Sequence, residues 1–500
     1  MKSGGLLKKI EDIGNKLPHP IYIFIILSLF VITISAATAG MQITHPGTGK
    51  IETIHNLASR DGFVWMLDNM VKNFTKFPPL GMVLVMMIGL GLAEETGLLR
   101  TILRRVIVGA PKTLVTFIVV FSGVMGNIAG SATFVVIPPL GGLIFKALGR
   151  HPIAGIAAGF AGVAAGLNAN MLITPTDILA VGLTEKAAQI IDPNFTVHPA
   201  VNWYFMIAST ILLSVVGVFV SEKIVEPRLG KFQDDSSSSK EDEELMTITD
   251  LEQKGLRWAG IASLVYFVII GFMIVPTDGI LRNPDGALIP SPFLSSVIPL
   301  LLIWFIIAAL AYGIASKTIK NSNDVVKYMT VSMEGFAGFI VLCFFAAQFV
   351  EFFAYSNLGL LLAVNGADLL ETTGFTGIPL TIVFILLVSF INFFIGSGSA
   401  KWALLAPIFV PMFMQVGLSP FYTQAAYRIA DSVTNSISPL EPFMPFIITC
   451  AQRYDKNSGL GTVISIMMPY AIWFLASWTG LLIVWYLFNI LLGPAAPISM

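Results

Sequence analysis

The sequence has little charge, few cysteines and few histidines. Only 12% of its 500 residues are charged, against roughly 25% in a typical soluble domain. Lys and Arg (29) nearly balance Asp and Glu (30), so no basic surface points to nucleic acid as a partner. Cys343 and Cys450 lie in separate apolar runs, and the five histidines lack metal-binding spacing. These absences argue against a nucleic-acid binder, a disulfide-stabilised fold and a zinc enzyme.

Apolar residues dominate instead: 55% of the chain is hydrophobic and its mean hydropathy is +0.81. An apolar run of about 20 residues predicts a membrane-spanning helix. The sequence therefore predicts an all-α polytopic membrane protein whose surroundings are the lipid bilayer. Seven such runs cover residues 21–41, 78–98, 202–221, 257–276, 294–315, 330–355 and 461–489.

Two further apolar regions, 113–191 and 376–453, are interrupted by Gly, Pro, Ser and Asn. Basic residues mark cytoplasmic loops, and Lys112 and Arg150 flank the segment 113–148, so this segment is predicted to enter the membrane and return. Applied to the whole chain, the rule predicts nine transmembrane helices and two re-entrant hairpins that open to opposite sides. The N-terminus is then cytoplasmic and the C-terminus periplasmic.

An internal comparison supports two inverted repeats. Without a gap, the first hairpin aligns with the second at seven identical positions, several of them Gly or Pro. Further on, "TPTD" ending at Asp177 parallels "SPLE" ending at Glu441. Paired segments broken by Gly and Pro are typical of a secondary transporter's binding site. The identities join residues 130, 131, 132, 139, 145, 149 and 152 to residues 398, 399, 400, 407, 413, 417 and 420.

The predicted organisation follows from the repeats. Each repeat holds a hairpin, at about 113–148 or 376–417, and a broken helix, at about 152–191 or 420–453. The predicted units are an N-terminal helix with an outer interfacial segment (1–77), the first inverted repeat (78–222), a cytoplasmic linker (223–256), two connecting transmembrane helices (257–329), the second inverted repeat (330–490) and a periplasmic C-terminus (491–500).

The hairpin tip "GSGSAKW" raises the question of why Ser, Gly and Lys stand together in an apolar region. Non-helical backbone at membrane depth survives only where protein or water satisfies its polar groups, so such a tip must face a cavity. Ser hydroxyls and Asn amides there offer oxygen ligands to Na⁺, and helix N-termini favour an anion. For Lys401 the sequence leaves two readings open, a side chain that reaches the membrane surface and one that attracts an anion.

Charged and aromatic residues of the broken segments are the other candidates. An intramembrane carboxylate is a functional candidate by default, so Asp177 and Asp431 are predicted to bind a cation or carry a proton. Arg428 could clamp a substrate carboxylate or simply pair with Asp431 on the same helix face. Trp402 could stack on an aromatic ligand. The predicted substrate-binding residues are Ser131, Ser399, Trp402, Pro420 and Arg428, and the predicted cation-binding or proton-carrying residues are Asp177, Asp431, Asn127, Asn168, Asn392 and Asn435.

The motifs "GSAT", "GSGSAKW", "NANMLITPTD" and "YRIADSVTNSISPLEPF" resemble those of the AbgT (aminobenzoyl-glutamate transporter) family, and the resemblance extends to the "LPHP" opening. It implies a dimeric bacterial inner-membrane transporter of the ion-transporter superfamily, with nine transmembrane helices and two hairpins. Family members are associated with p-aminobenzoyl-glutamate uptake and with efflux of sulfonamide antimetabolites. By motif match, the family's functional positions fall on Asp177, Asn392, Ser399, Trp402, Pro420, Arg428 and Asp431.

Residues and resemblance together predict a cation-coupled secondary transporter of p-aminobenzoyl-glutamate or related folate fragments, and not an enzyme. No cofactor is expected, and Na⁺ at the hairpin tips is the only metal ion considered. The coupling ion, Na⁺ or a proton, and the direction of transport stay open. The alternatives are a sodium-coupled dicarboxylate symporter of related fold and, from another class, an ion channel.

Overall fold

The computed structural model describes residues 20–46, 48–130, 132–230, 232, 247–287 and 291–500. Within these residues, eight helices are long and apolar enough to cross a membrane. Each of the seven apolar runs predicted as a span contains a long helix, but the run 330–355 is divided at residues 335–336 between the helices Ser322–Glu334 and Ala337–Tyr355. The chain is therefore a largely helical, multi-pass membrane protein. Ser131 and all of the predicted linker stretch 232–244 except Phe232 lie outside the described residues.

The N-terminal part contains two helices, α1 (Pro20–Ala37) and α2 (Arg60–Thr75). The all-α prediction missed a two-stranded antiparallel sheet between them, β1 (Gln42–Thr44) with β2 (Ile51–Thr53). Strands of three residues are too short to show the alternation that predicts a strand. The outer interfacial segment predicted before the second span contains α2, which is fixed by stacking of Trp65 on Tyr355 at 3.8 Å between ring centroids.

Two series of helices with the same order follow. The first is α3 (Pro78–Glu95), α4 (Leu98–Val108), α5 (Val115–Met125), α6 (Ala132–Ala147), α7 (Pro152–Phe160), α8 (Pro175–Ala188) and α9 (Trp203–Val220). Between the series lie α10 (Glu226–Leu229), α11 (Asp250–Ile274), α12 (Pro292–Ser295), α13 (Val297–Ser316) and α14 (Ser322–Glu334). The second is α15 (Ala337–Tyr355), α16 (Leu358–Thr372), α17 (Gly377–Ile391), α18 (Gly398–Gln415), α19 (Pro420–Val433), α20 (Met444–Gln452) and α21 (Leu460–Leu487).

Backbone geometry supports the equivalence of the two series. The residue that caps α4 is Gly97 (φ 85°), and the residue that caps α16 is Asn357 (φ 62°), so both corners are left-handed. Gly149 (φ 70°) and Gly417 (φ 82°) turn the chain at matching points before α7 and α19. Left-handed backbone favours Gly and tolerates Asn, which explains why Gly or Asn occupies each of these corners.

Each series contains one helical hairpin. The arms α5 and α6 form the first, and the guanidinium of Arg150 donates to the Thr116 hydroxyl at 2.8 Å, which joins its two ends. The arms α17 and α18 form the second, and the hydroxyls of Thr381 and Tyr422 meet at 3.1 Å near its two ends. Each segment therefore turns back towards the side from which it started.

The ends of the two hairpins lie at opposite ends of α21, a helix of 28 residues or about 42 Å. Tyr454, which precedes α21, contacts Phe232, and Phe232 contacts His151 at the open end of the first hairpin. Tyr486, in the last turn of α21, contacts Tyr422 at the open end of the second. The open ends of the two hairpins therefore lie at opposite ends of this helix.

Glycines let the first hairpin and the helix that follows it pack closely. A Cβ on Gly155 of α7 would lie 2.2 Å from the carbonyl oxygen of Gly141 of α6. Small residues at helix contacts allow backbones to approach, which is a main source of helix association in membranes. The hairpin and the first arm of the broken helix therefore form one closely packed unit.

Candidate functional site

Both helices that the sequence predicts to be broken are interrupted in the structure. The first consists of α7, a π-helix (Ala161–Ala165), non-helical residues 166–174 and α8. The second consists of α19, a 3₁₀ turn (Thr434–Ile437), non-helical residues 438–443 and α20. The arms of the second hairpin are separated by residues 392–397. These interruptions free backbone and side-chain groups from the helices, and the residues around them converge at one place.

Asp177 and Arg428 form a buried ion pair that joins the two series, with 2.6 Å between Asp177 Oδ1 and Arg428 Nη1. Asp177 is the third residue of α8, and its Oδ2 accepts from the backbone N–H (2.6 Å) and the hydroxyl (2.5 Å) of Thr174. Both carboxylate oxygens are therefore engaged. Arg428 Nη2 donates to the Asn168 carbonyl at 2.6 Å, while its Nε has no hydrogen-bond partner among the described residues.

Asp431 lies at the centre of a second cluster, where its Oδ1 is 2.6 Å from the Lys401 ammonium. The hydroxyl of Tyr427 also donates to Oδ1, at 3.1 Å, and the amide of Asn168 donates to Oδ2 at 2.9 Å. Lys401 also donates to the side-chain oxygen of Asn392. The predicted alternative in which Arg428 pairs with Asp431 is therefore wrong, because Arg428 pairs with Asp177, and Lys401 points inward to Asp431 and not to the membrane surface.

Trp402 is fully buried and packs its ring on Tyr427, with 4.3 Å between centroids and 27° between planes. Its indole N–H donates to the hydroxyl of Thr184 at 3.0 Å. That hydroxyl donates in turn to Gln424 at 2.7 Å, so Trp402 is held by a polar chain that runs between the two series. The indole is therefore rigidly positioned before any ligand arrives.

A cavity of about 270 Å³ lies between the two ion pairs. Three of the predicted substrate-binding residues line it, namely Ser399, Trp402 and Arg428, as do two of the predicted cation-binding residues, Asn168 and Asp431. The N-terminal turns of α8 and α18 also reach it. Its remaining walls are formed by Val83, Leu167, Pro175, Thr176, Leu179, Ala180, Phe336, Phe339, Gly398 and Tyr427.

The other predicted residues lie behind this wall or away from it. Asp177 and Asn392 act through their partners Arg428 and Lys401, and the side-chain oxygen of Asn435 accepts from Asn392 at 2.8 Å. The amide of Asn127 donates to the Val124 carbonyl at 2.9 Å, within the first hairpin. Pro420 is the first residue of α19, buried and not part of the cavity wall.

Sequence reasoning missed several residues of the cluster. Tyr427 stands four residues before Asp431, a spacing that places both on one helix face, so the pattern contained a usable signal. No local pattern predicts the positions of Thr184 and Gln424 or the contact of Lys401 with Asp431, because these depend on contacts between distant segments.

A larger cavity of about 430 Å³ lies between α4, α5, α11 and α13. Its lining is almost wholly apolar and, among the described residues, contains no charged side chain.

Among the described residues, no group of three or more His, Cys, Asp or Glu side chains could hold a metal ion. The charged side chains that line the cavity are instead one carboxylate, Asp431, and one guanidinium, Arg428, and each has its oppositely charged partner directly behind the wall.

Comparison with known proteins gives consistent matches over the whole chain. Residues 5–500 match the model of the AbgT putative transporter family. The p-aminobenzoyl-glutamate transport protein of Escherichia coli (strain K12) is 42% identical over 496 residues, which are 99% of this chain and 97% of that protein.

Two solved structures have the same fold. The Alcanivorax borkumensis YdaH transporter, described as having an unusual topology, superposes with a TM-score of 0.91 at 39% identity and covers 95% of this chain and 100% of its own. Neisseria gonorrhoeae MtrF, described as illuminating a class of antimetabolite efflux pumps, has a TM-score of 0.91 at 43% identity, over 96% and 97% of the two chains.

Proposed function

The chain belongs to the AbgT putative transporter family. From this membership and from the central cavity, we propose that it transports p-aminobenzoyl-glutamate or a related folate fragment, in exchange for a cation or together with one. The matched proteins are transporters, so the chain is a membrane transporter and not an enzyme. Export of sulfonamide antimetabolites belongs to the same proposal, because those compounds share the aminobenzene ring.

The cavity has the chemistry that this substrate class requires. Arg428 supplies a guanidinium suited to bidentate carboxylate binding. The N-termini of α8 and α18 add partial positive charge at the cavity wall, which favours an anion. Trp402 and Tyr427 supply aromatic surface for the benzoyl ring. An aromatic carboxylate therefore fits this cavity better than a purely aliphatic dicarboxylate does.

The observation that carries the proposal is the pairing of Arg428 with Asp177. Leaving either charge buried alone would cost about 3–5 kcal/mol. A substrate carboxylate that takes over Arg428 therefore releases Asp177, and an incoming cation then neutralises it. In this exchange no charge stays unpaired, so substrate and cation binding favour each other. The coupling is linkage between two sites that share one ion pair.

The size of the cavity fits this picture of exchange. Its volume of about 270 Å³ lies just below the range of roughly 300–1,000 Å³ typical of small-ligand sites. In this proposal, binding of the substrate carboxylate separates Arg428 from Asp177 and so enlarges the cavity.

The remaining parts of the proposal concern arrangement in the membrane. We propose nine crossings with the two hairpins re-entrant, the division into two inverted repeats joined by the 223–256 linker, and a homodimer in the bacterial inner membrane. The N-terminus would be cytoplasmic and the C-terminus periplasmic. The placement of the two open hairpin ends at opposite ends of α21 supports the opposed orientation of the hairpins.

Flux through reconstituted proteoliposomes tests the function. Labelled p-aminobenzoyl-glutamate should cross saturably when a sodium gradient or a proton gradient is imposed separately, and one of the two should accelerate it. Arg428→Lys should weaken the apparent affinity less than Arg428→Ala, because it keeps the charge but loses the planar fork. Full competition by succinate would favour the dicarboxylate symporter, and a non-saturating current would favour a channel.

A further inference from the structure

Lys401 is a fully buried lysine whose ammonium contacts two side-chain oxygens, as a bound cation would. It lies in the first turn of α18, directly after the interruption of the second hairpin, with none of its surface exposed. Its ammonium lies 2.6 Å from Asp431 Oδ1 and also contacts the side-chain oxygen of Asn392. A buried ammonium is costly unless paired, so this environment must be built for a positive charge.

The oxygens around the ammonium are held in place by other groups. The two hydrogens of the Asn392 amide nitrogen are shared among three acceptors: the Asp431 carbonyl (3.1 Å), the Thr434 hydroxyl (2.7 Å) and the Asn435 side-chain oxygen (2.8 Å). These contacts leave the Asn392 oxygen directed at Lys401. A carboxylate and an amide oxygen, preorganised in this way, are also the ligands that a hard cation takes.

The equivalent position of the first repeat has no such charge. In the gap-free alignment of the two hairpins, Lys401 corresponds to Thr133, which is buried and donates its hydroxyl to the Gly126 carbonyl. Near the first break, Asn170 is only 1% exposed, and neither atom of its amide has a hydrogen-bond partner among the described residues. The two halves therefore differ in charge at related places.

We propose that the Lys401 ammonium is a tethered cation that fills the oxygen site formed by Asp431 and Asn392, in place of a free monovalent ion. The Lys401 ammonium then occupies this site in the second half of the chain permanently, and sodium does not bind there. An exchangeable cation is left to the first half, around Asp177 and Asn170. This inference deepens the proposed cation coupling and rests on it for its functional meaning, but it concerns ion occupancy and not substrate.

Removing the tethered charge should create a sodium site. We would purify the full-length protein in sodium chloride and count bound ²²Na⁺ per chain in Lys401→Met, Lys401→Met/Asp431→Asn and the unaltered protein. Lys401→Met should bind one additional sodium ion, and its unfolding midpoint should be higher in sodium than in choline by about 2 °C or more. The double variant should lose both effects, because its remaining pair is neutral.

A matched control uses the same substitution at a half-exposed pair. Lys186 lies 2.9 Å from Glu351, and both side chains are 25% exposed, so solvent can compensate Glu351. Lys186→Met should therefore gain no sodium ion. Asp431→Asn alone should leave the number of ions bound by the unaltered protein unchanged, since Asp431 is already neutralised by Lys401.

Three outcomes would overturn the inference. One is a folded Lys401→Met protein that binds no additional sodium, and another is loss of an ion on Asp431→Asn alone. The third is an unfolding midpoint that sodium raises in the double variant but not in Lys401→Met, which would mean that sodium cannot replace the ammonium. Absence of p-aminobenzoyl-glutamate flux in the unaltered protein, together with an additional sodium ion in Lys401→Met, would reject the proposed function and leave this inference intact.

Discussion

Arg428 pairs with Asp177 at 2.6 Å, across the two repeats, although Asp431 stands only three residues further along its own helix. The carboxylate of Asp431 is taken by Lys401 instead. Two positive and two negative side chains thus form two ion pairs beside one cavity. Of the two, only the Asp177–Arg428 pair joins the two series and so helps to fix how they sit against each other, whereas the Lys401–Asp431 pair links α18 to α19 within the second series.

The Asp177–Arg428 pair should show strong energetic coupling. Asp177→Asn and Arg428→Met should each lower the free energy of unfolding by about 3–5 kcal/mol, because each leaves one buried charge alone. The double variant should lose clearly less than the sum. The measurement is a double-mutant cycle of unfolding in detergent. The same cycle on the half-exposed pair Lys186 and Glu351 should give a coupling of about 0–1 kcal/mol, and equal coupling in both cycles would contradict the prediction.

Trp402 should matter for substrate affinity as well as for packing. If the substrate ring stacks at Trp402, Trp402→Ala should weaken binding by about 1–3 kcal/mol, and Trp402→Phe should weaken it less. Trp402→Ala should also lower stability by about 3–5 kcal/mol, since the indole is fully buried. Both quantities should be measured, by equilibrium binding and by thermal unfolding.

Trp478 provides the control for this experiment. It is also fully buried, and its indole N–H donates to Ser209 at 2.7 Å, outside the cavity wall. Trp478→Phe should therefore lower stability about as much as Trp402→Phe does, without a change in substrate affinity. Equal affinities for all the Trp402 variants would assign that residue to packing alone.

The arrangement in the membrane predicts which positions a membrane-impermeant thiol reagent can reach. The two native cysteines, Cys343 and Cys450, are buried and should not react. Cysteines introduced at exposed Lys112 and exposed Asn194 should be labelled from opposite sides. In spheroplasts, Asn194→Cys should react at once, and Lys112→Cys only after permeabilisation. Labelling of both from one side would reject the opposed hairpins and the nine crossings.

His198 should make the protein less stable in acid. It lies in the loop between α8 and α9, where burial lowers its pKa below the usual 6.5, partly offset by its hydrogen bond to the Pro494 carbonyl. Its other ring nitrogen accepts from the Ala200 N–H, which a second proton would block. As the pH falls below about 6.5, the unfolded chain binds a proton more readily than the folded one, so stability is lost.

The measurement for His198 is the unfolding midpoint as a function of pH. His198→Gln keeps a donor for Pro494 but does not titrate, so its midpoint should fall less between pH 7.5 and pH 5 than that of the unaltered protein. The difference between the two curves isolates this residue from the other groups that titrate. Parallel curves would show that His198 contributes nothing to acid sensitivity.

Much of the fold could be predicted because it depends on signals that are local or repeated. The spans follow from continuous apolar runs, and the two interrupted helices follow from Gly and Pro at matching positions. The short sheet β1–β2 was not predicted because three-residue strands have almost no period. The candidate site residues followed from polar side chains in the interrupted segments, and the resemblance to the family pointed to seven of them.

The pairing of charges could not be predicted in the same way. A spacing of three residues made Arg428 and Asp431 the natural pair, but Lys401 reaches Asp431 from another helix and Asp177 reaches Arg428 from the other repeat. Such choices depend on three-dimensional distances between segments. For the same reason, the sequence showed Lys401 to be unusual without showing what it binds.

The buried Lys401 also has a consequence for how the protein is made. Its partner Asp431 comes 30 residues later in the chain, so at a synthesis rate of about 5–20 residues per second the lysine waits roughly 2–6 s for its counter-charge. A lone lysine in the bilayer centre costs about 2.5–3.5 kcal/mol even on the most lenient scale. During synthesis, the second hairpin should therefore settle into the membrane together with α19, after it has been translated, and not before.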